Sequence, residues 1–227
     1  MKTSNLLFVA SSVMLLLAAP TFAQQFEAVH GINYESSSQG KAALGSLMQD
    51  EAMKGAHVTL YAKEFGGPGP SHLVVEDFDG YSDYMDLRDK RQSSHGWSKY
   101  MLQAADAEYL GSGLVMVVDD HGAARRTAGY LVAYLIKTSD AAAYRSGIAE
   151  LADAVGNPGV LRLVANRADT MEHTHAVLIG GSDFAAVNKY LDKLFASDAF
   201  AEFANKVGDT REVVGVDMYR RVAVWGE

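Results

Sequence analysis

SHLVVEDFDGY, residues 71–81, and THAVLIGGSDF, residues 174–184, read as one pattern written twice: a hydroxyl residue, a histidine, an apolar strand, then a helix start. The shift between them is 103 positions. Applied outward, the same shift lays FEAVHGINY (26–34) on GYLVAYLIK (129–137) and HVTLYAKEF (57–65) on VLRLVANRA (160–168). It also lays SSHGWSKYM (93–101) on ASDAFAEFA (196–204), and LGSGLVMVV (110–118) on VVGVDMYRR (213–221). Identities are few, but apolar positions and helix starts coincide without a gap, as an internal duplication requires.

Each half has one order of elements. A strand rich in β-branched and aromatic residues opens it. A helix follows, SSQGKAALGSLMQDEAMK in the first half and SDAAAYRSGIAELADAV in the second, where Ser139 and Asp140 can cap the first turn. Gly55 and the Gly156-Asn157-Pro158-Gly159 run are stop signals. Two strands, a second helical region opening near Asp79 or Ser182, and a last strand complete the half. The order β-α-β-β-α-β defines a ferredoxin-like unit, an antiparallel sheet with helices on one face. The expected class is therefore α+β: two tandem repeats whose bare sheet faces cover one another as a barrel. The expected division is a signal peptide over 1–23, a first repeat over 24–119, a linker over 120–128 and a second repeat over 129–227.

The leader reading rests on Lys2, the apolar run Leu6 to Ala19 and the small-residue site Thr21-Phe22-Ala23. The run is short for a membrane span. It predicts an exported soluble protein, periplasmic or secreted, with no membrane association once the leader is removed. A formal net charge of −8 argues against nucleic acid, which calls for concentrated Lys and Arg. Arg125-Arg126 and Arg220-Arg221 are isolated pairs that read as solvated strand or linker ends. The absence of cysteine removes disulfides, thiolate nucleophiles and thiolate-held metals.

The tandem unit, with helix patterns such as FASDAFAEFANKV (195–207), resembles the dimeric α+β barrel superfamily. Its antibiotic-biosynthesis-monooxygenase-like and NIPSNAP-like families are the nearest in pattern. The resemblance implies a cavity between sheet and helices or inside the barrel. The activities it implies run from cofactor-independent oxygenation of aromatics to haem degradation, isomerisation and no known chemistry, so fold alone fixes none of them.

Strand alternation sorts the candidate residues. On 57–65, His57, Thr59, Tyr61 and Lys63 share one face, and on 160–168 Val160, Arg162, Val164 and Asn166 share the matching one. These mixed faces are expected inside the barrel and the apolar faces under the helices. His72 aligns with Val74 and Glu76, and His175 with Val177 and Ile179. Phe26, Ala28, His30, Ile32 and Tyr34 align on a face the sequence does not fix. A barrel interior holding His72, His175, Tyr61, Glu76 and Arg162 is the expected catalytic site, with histidine as base and Arg162 holding a carboxylate or phenolate. The competing reading puts both histidines at strand starts, facing solvent or capping a hairpin.

His173 and His175 point the same way and could share a metal, but no third ligand completes the set, and no metal is expected. Trp97 with His95 and Asn33 resembles the trio of the haem-degrading members, yet the helical spacing of Trp97 with Tyr100 and Met101 reads as core. No cofactor is expected. Two functions follow. One is an exported barrel binding a small apolar or aromatic molecule, whose enzymatic version is cofactor-independent monooxygenation or isomerisation. The alternative is a non-catalytic binding or assembly module.

Overall fold

The computed structural model describes residues 25–156, 159–168 and 172–226, so the leader expected over 1–23 lies outside the described residues. The first half runs β1 (Phe26–Asn33), α1 (Ser37–Leu47), β2 (His57–Phe65), β3 (His72–Phe78), α2 (Tyr81–Gln92), α3 (His95–Gln103) and β4 (Glu108–Gly122). The second runs β5 (Tyr130–Thr138), α4 (Ala141–Val155), β6 (Val160–Ala168), β7 (His175–Gly181), α5 (Phe184–Phe195), α6 (Asp198–Val207) and β8 (Arg211–Trp225). Within each half the strand order is fourth, first, third, second. The halves join edge to edge, β4 with β6 and β2 with β8, into one closed antiparallel barrel. Closure through main-chain hydrogen bonds, rather than face-to-face stacking, leaves each helical layer outside its own half of the barrel.

The repeat is real, but its shift is not uniform. β2, β3, α2 and β4 recur 103 residues later as β6, β7, α5 and β8. The first strand and helix recur 104 residues later. Phe26 pairs with Phe78, while Tyr130, not Gly129, pairs with Gly181. Ser36 caps α1 through Gln39 N, and Asp140 caps α4 through Ala143 N. The buried faces agree: Gly40, Ala43, Leu44 and Leu47 in α1 match Tyr144, Gly147, Ile148 and Leu151 in α4. The gap-free alignment is thus wrong by one residue over the first strand, where it matches each position to one on the opposite face of the copy.

The extra residue of the first half falls between α1 and β2. There the helix does not reach Gly55 as expected but stops at Leu47. A separate 3-10 turn, Glu51–Met53, is capped by Asp50, whose second carboxylate oxygen accepts from Gly96 N at 2.7 Å at the start of α3. One side chain thereby satisfies amides of two helical turns that would otherwise be orphaned. Gly55 then takes φ +82°, a conformation that side-chain-bearing residues rarely adopt.

Both faces of the barrel wall are buried. Ile32, Val58, Leu60 and Val74 pack under α1 and α3; Val132, Ile136, Leu161 and Val177 pack under α4, α5 and α6. Tyr61, Val75, Val115, Leu131, Val164, Leu178 and Tyr219 fill the interior.

Candidate functional site in the barrel

β2 and β6 are sorted as alternation predicts: Tyr61 and Arg162 point into the barrel. His72, His175 and Glu76 do not. They stand on the face of β3 and β7 that also carries Val74, Val177 and Ile179, beneath the helices. The interior positions of those strands are Leu73, Val75, Ala176 and Leu178. The five expected site residues are therefore split between the two sides of the wall.

The histidines answer to a shared structural role. His72 Nδ1 is 2.8 Å from Ser71 Oγ, and His175 Nδ1 is 2.9 Å from Thr174 Oγ1, the residue at the copied position. His72 also reaches Ser37 Oγ at 2.9 Å and meets the Tyr34 ring edge-on. Burial, assisted by Arg220 for His72 and by His173 for His175, lowers both pKa values from the ordinary 6.5. Neither ring faces the barrel cavity.

Glu76 belongs to a buried polar cluster under the first helical layer. It pairs with Arg91 and lies 3.4 Å from His30 Nε2. Burial would raise its pKa, but His30 and Arg91 outweigh burial and hold it below the ordinary carboxylate value. Arg91 lies over the Trp97 ring, which stacks on Tyr100. Trp97 is packed against the core, as its helical spacing indicates. Asn33 binds Glu108 and Ser71 instead, so the trio with His95 and Trp97 is not assembled.

The interior charges form a network that sequence reading missed in large part. Arg125, read as a solvated linker residue, is 2% exposed and plugs one end of the barrel. Its Nε donates to Glu27 Oε1 at 2.9 Å, and its other nitrogens donate to Tyr61 Oη at 3.1 Å and Asp77 Oδ1 at 2.8 Å. The Tyr61 hydroxyl in turn donates to the Arg125 carbonyl at 3.3 Å. Arg162 donates to Glu27 and to Asp120, each at 2.5 Å. Burial pushes the Glu27 carboxyl up, but the two guanidiniums outweigh it and lower its pKa. Asp77 goes the other way, because burial wins over Arg125. Glu27 became identifiable only once β1 was placed: Glu27, Val29 and Gly31 face inward, opposite the set that carries His30. Arg125 lies in a connection with no periodicity to mark it.

Above this floor the interior is apolar and incompletely filled. A cavity of about 220 Å³ is lined by Val29, Leu73, Val115, Leu131, Ala133 and Leu178, with Tyr61, Arg125 and Glu27 at its base. Pro68, Gly69 and Pro70 stand at its mouth beside Asn166 and Asp217. Asp217 accepts from Tyr219 Oη at 3.1 Å and from Gly67 N at 3.2 Å, tying the mouth loop to β8. Below the floor a wider polar groove of about 1090 Å³ holds Asp79, Asp83, Asp86, Lys54, Lys90 and Arg126. Glu27 and Arg125 line both spaces and form the wall between them.

Solved structures share this architecture. A candidate monooxygenase of Fusobacterium nucleatum superposes with a TM-score of 0.60 at 10% identity, over 89% of this chain and 94% of that one. An anthrone oxidase-like protein gives 0.54 at 12% identity, over 89% and 93%. A candidate chlorite dismutase gives 0.52 at 12% identity, over 87% and 95%. The chain has the dimeric α+β barrel fold. The likeness is one of fold, at identities too low to transfer an activity. No protein-family model matches the sequence. No curated protein matches it either.

Proposed function

We propose that this chain is an exported binding barrel for a small, mostly apolar molecule of one or two aromatic rings, seated above the Tyr61–Arg125 floor. The observation that carries the reading is the apolar-walled cavity of about 220 Å³ inside the barrel. It exceeds the roughly 150 Å³ apolar cavity that takes benzene in an engineered protein, and it is smaller than the roughly 300 Å³ at which drug-sized sites begin. The groove below the floor mixes charged side chains with Phe26, Phe78 and Leu87, so it offers such a molecule a less apolar bed.

The enzymatic version is cofactor-independent oxygenation. It draws support from the cavity's size and apolar lining, and from the names carried by the candidate monooxygenase and the anthrone oxidase-like protein of the same fold. With His72, His175 and Glu76 outside the cavity, its lining includes the protonic groups Tyr61, Tyr219, Asp217, Glu27 and His173. Burial raises the pKa of both phenols, so they act as neutral hydrogen-bond partners at neutral pH, not as bases. Binding is the part of the reading the geometry supports best.

The test is titration of indole into the purified protein and into Ala133→Phe, which puts a ring where the cavity lies. Saturable binding that Ala133→Phe abolishes, with the far-ultraviolet dichroism unchanged, is expected. Equal binding by both proteins, or none by either, overturns the reading.

A second reading, an assembly module, is favoured by β8. This strand pairs with β2 only from Met218 onward, and Val213, Val214 and Val216 before it are 46%, 39% and 42% exposed. Such an apolar strand edge is a surface for another chain.

A further inference from the structure

Of the polar residues lining the barrel cavity, Glu27, Tyr61 and Arg125 at the base and Tyr219 on the wall are no more than 5% exposed, and each is hydrogen-bonded within the protein. Asp217 at the mouth is different. It pairs with Ala133, between the Leu131–Tyr219 and Leu135–Gly215 pairs, so its side chain stands on the inward face of β8. β2 pairs with β8 only from Met218 onward, so the wall ends beside Asp217, which stays half-buried and in contact with solvent. Its two oxygens take one hydrogen bond each, from Tyr219 Oη at 3.1 Å and from Gly67 N at 3.2 Å. An ionised carboxylate offers about four acceptor positions, so it has capacity to spare.

Neither donor calls for a charge, since a neutral acceptor would tie the mouth loop to β8 through the same two bonds. Nor does the barrel wall require one. In the first half Val29, the counterpart of Ala133, pairs with Gly113, which has no side chain to offer. The negative charge is also unanswered within the protein. Asp217 forms no ion pair among the described residues. Lys63 donates instead to Gly67 O at 2.9 Å, and Arg220 pairs with Glu64. A carboxylate at the lip of an apolar space, with no ion-pair partner from its own chain, is a position for a cation from outside.

We infer that the barrel cavity selects an arylalkylamine, an aromatic ring on a short tail that ends in an ammonium, with the ammonium held at the mouth by the Asp217 carboxylate. This rests on the proposed binding function and names its ligand class. Val29, Leu73, Val115, Leu131 and Leu178 take the ring by burial. Asp217 discriminates, because a tail of the same shape without the charge forfeits a charge-assisted hydrogen bond. Asp217 is thus a specificity-determining residue.

The experiment compares tryptamine with 3-propylindole, which carries a methyl group where tryptamine carries its ammonium, by titration calorimetry at neutral pH on the wild type, Asp217→Asn and Tyr219→Phe. The readout is the ratio of the two affinities within each protein, and comparing that ratio between proteins cancels the different cost of taking each compound out of water. Asp217→Asn removes the charge alone: its oxygen can still accept from Gly67 N, and its amide can donate to the Tyr219 hydroxyl. It is expected to lower the tryptamine-to-propylindole ratio by about tenfold, the lower end for a hydrogen bond to a charged group because the mouth is open to water. Tyr219→Phe keeps the carboxylate while removing one of its two donors, and it is expected to hold the ratio at or above the wild-type value. An unchanged ratio in Asp217→Asn overturns the inference while leaving the cavity as the binding site. A ratio lowered equally in both variants also overturns it, by assigning the effect to the bonds that hold the mouth loop. Failure of both compounds to bind the wild type sinks the proposed function itself, and the inference with it.

Discussion

Arg125 Nε and Glu27 Oε1 meet at 2.9 Å across 98 residues of chain, one from the connection between the repeats and the other from the first strand. Their pairing closes the barrel cavity from below and separates it from the polar groove. Both are nearly inaccessible, so each charge depends on the other for the solvation that water no longer provides. The connection between repeats is therefore part of the core, and the two halves share one buried charge network.

Arg125→Ala is expected to cost about 3–5 kcal/mol of stability, because it leaves the Glu27 carboxylate buried with Arg162 as its remaining cation. Urea unfolding checks the value. Glu27→Gln should offset part of the loss in the double variant, and the coupling between the two sites measures the pair directly. A loss below about 0.5 kcal/mol would place Arg125 at the surface, where such changes normally fall.

Acid sensitivity should trace in part to His72. Its folded-state pKa lies below the ordinary 6.5, so the unfolded chain takes up the proton first as pH falls. The group's contribution is present at neutral pH and is lost as pH drops below about 6.5 toward the folded value. Comparing melting temperatures at about pH 7.5 and about pH 5.5, His72→Gln is expected to start lower but to fall by less than the wild type. A wild type and a variant that fall in parallel would show that His72 does not titrate between those conditions.

Gly40 and Tyr34 form a pair whose parts are exchanged in the second half. A Cβ on Gly40 would stand 2.7 Å from the Tyr34 ring, and that ring is held by a 2.9 Å bond to Tyr100 and by the edge of His72. In the copy the aromatic side chain comes from the helix, as Tyr144, and the strand end carries Thr138. Gly40→Ala gains up to about 1 kcal/mol in helix propensity but forces an overpacked contact costing about 1–3 kcal/mol. A net loss is expected in thermal unfolding, with Tyr34→Thr restoring part of it. A stabilised Gly40→Ala would mean that the ring yields.

The fold was readable because the duplication repeats element order, and because β2 and β6 alternate clearly between polar and apolar positions. Those two strands placed Tyr61 and Arg162 correctly. β3 and β7 could not be placed the same way. Both faces of a barrel strand are buried here, so Leu73 and Val75 on one side look as apolar as Val74 on the other, and a histidine or glutamate among them does not reveal its direction. The one-residue slip between the copies of β1 hid the inward face that carries Glu27. Arg125 had no local signal at all, since its position depends on closure of strands that are distant in sequence.

The polar cluster under the first helical layer and its counterpart in the second allow a decisive comparison. Glu76 and Arg91 correspond to Ile179 and Leu194, and Trp97 corresponds to Phe200. The same space is filled with charges in one half and with hydrocarbon in the other. Glu76 Oε2 and Arg91 Nε have no hydrogen-bond partner among the described residues, so the pair is incompletely satisfied where it is buried. Buried ion pairs of that kind are often replaced by apolar residues without loss, whereas removing one member strands the other charge. Arg91→Leu alone is therefore expected to destabilise by about 3–5 kcal/mol, and Glu76→Ile with Arg91→Leu to be neutral or stabilising by up to about 4 kcal/mol. Urea denaturation of both variants, with the transition slope checked for an unchanged native state, decides it. A double variant as unstable as Arg91→Leu would show that the first layer needs its charges, which would make the cluster something more than a polar solution to packing.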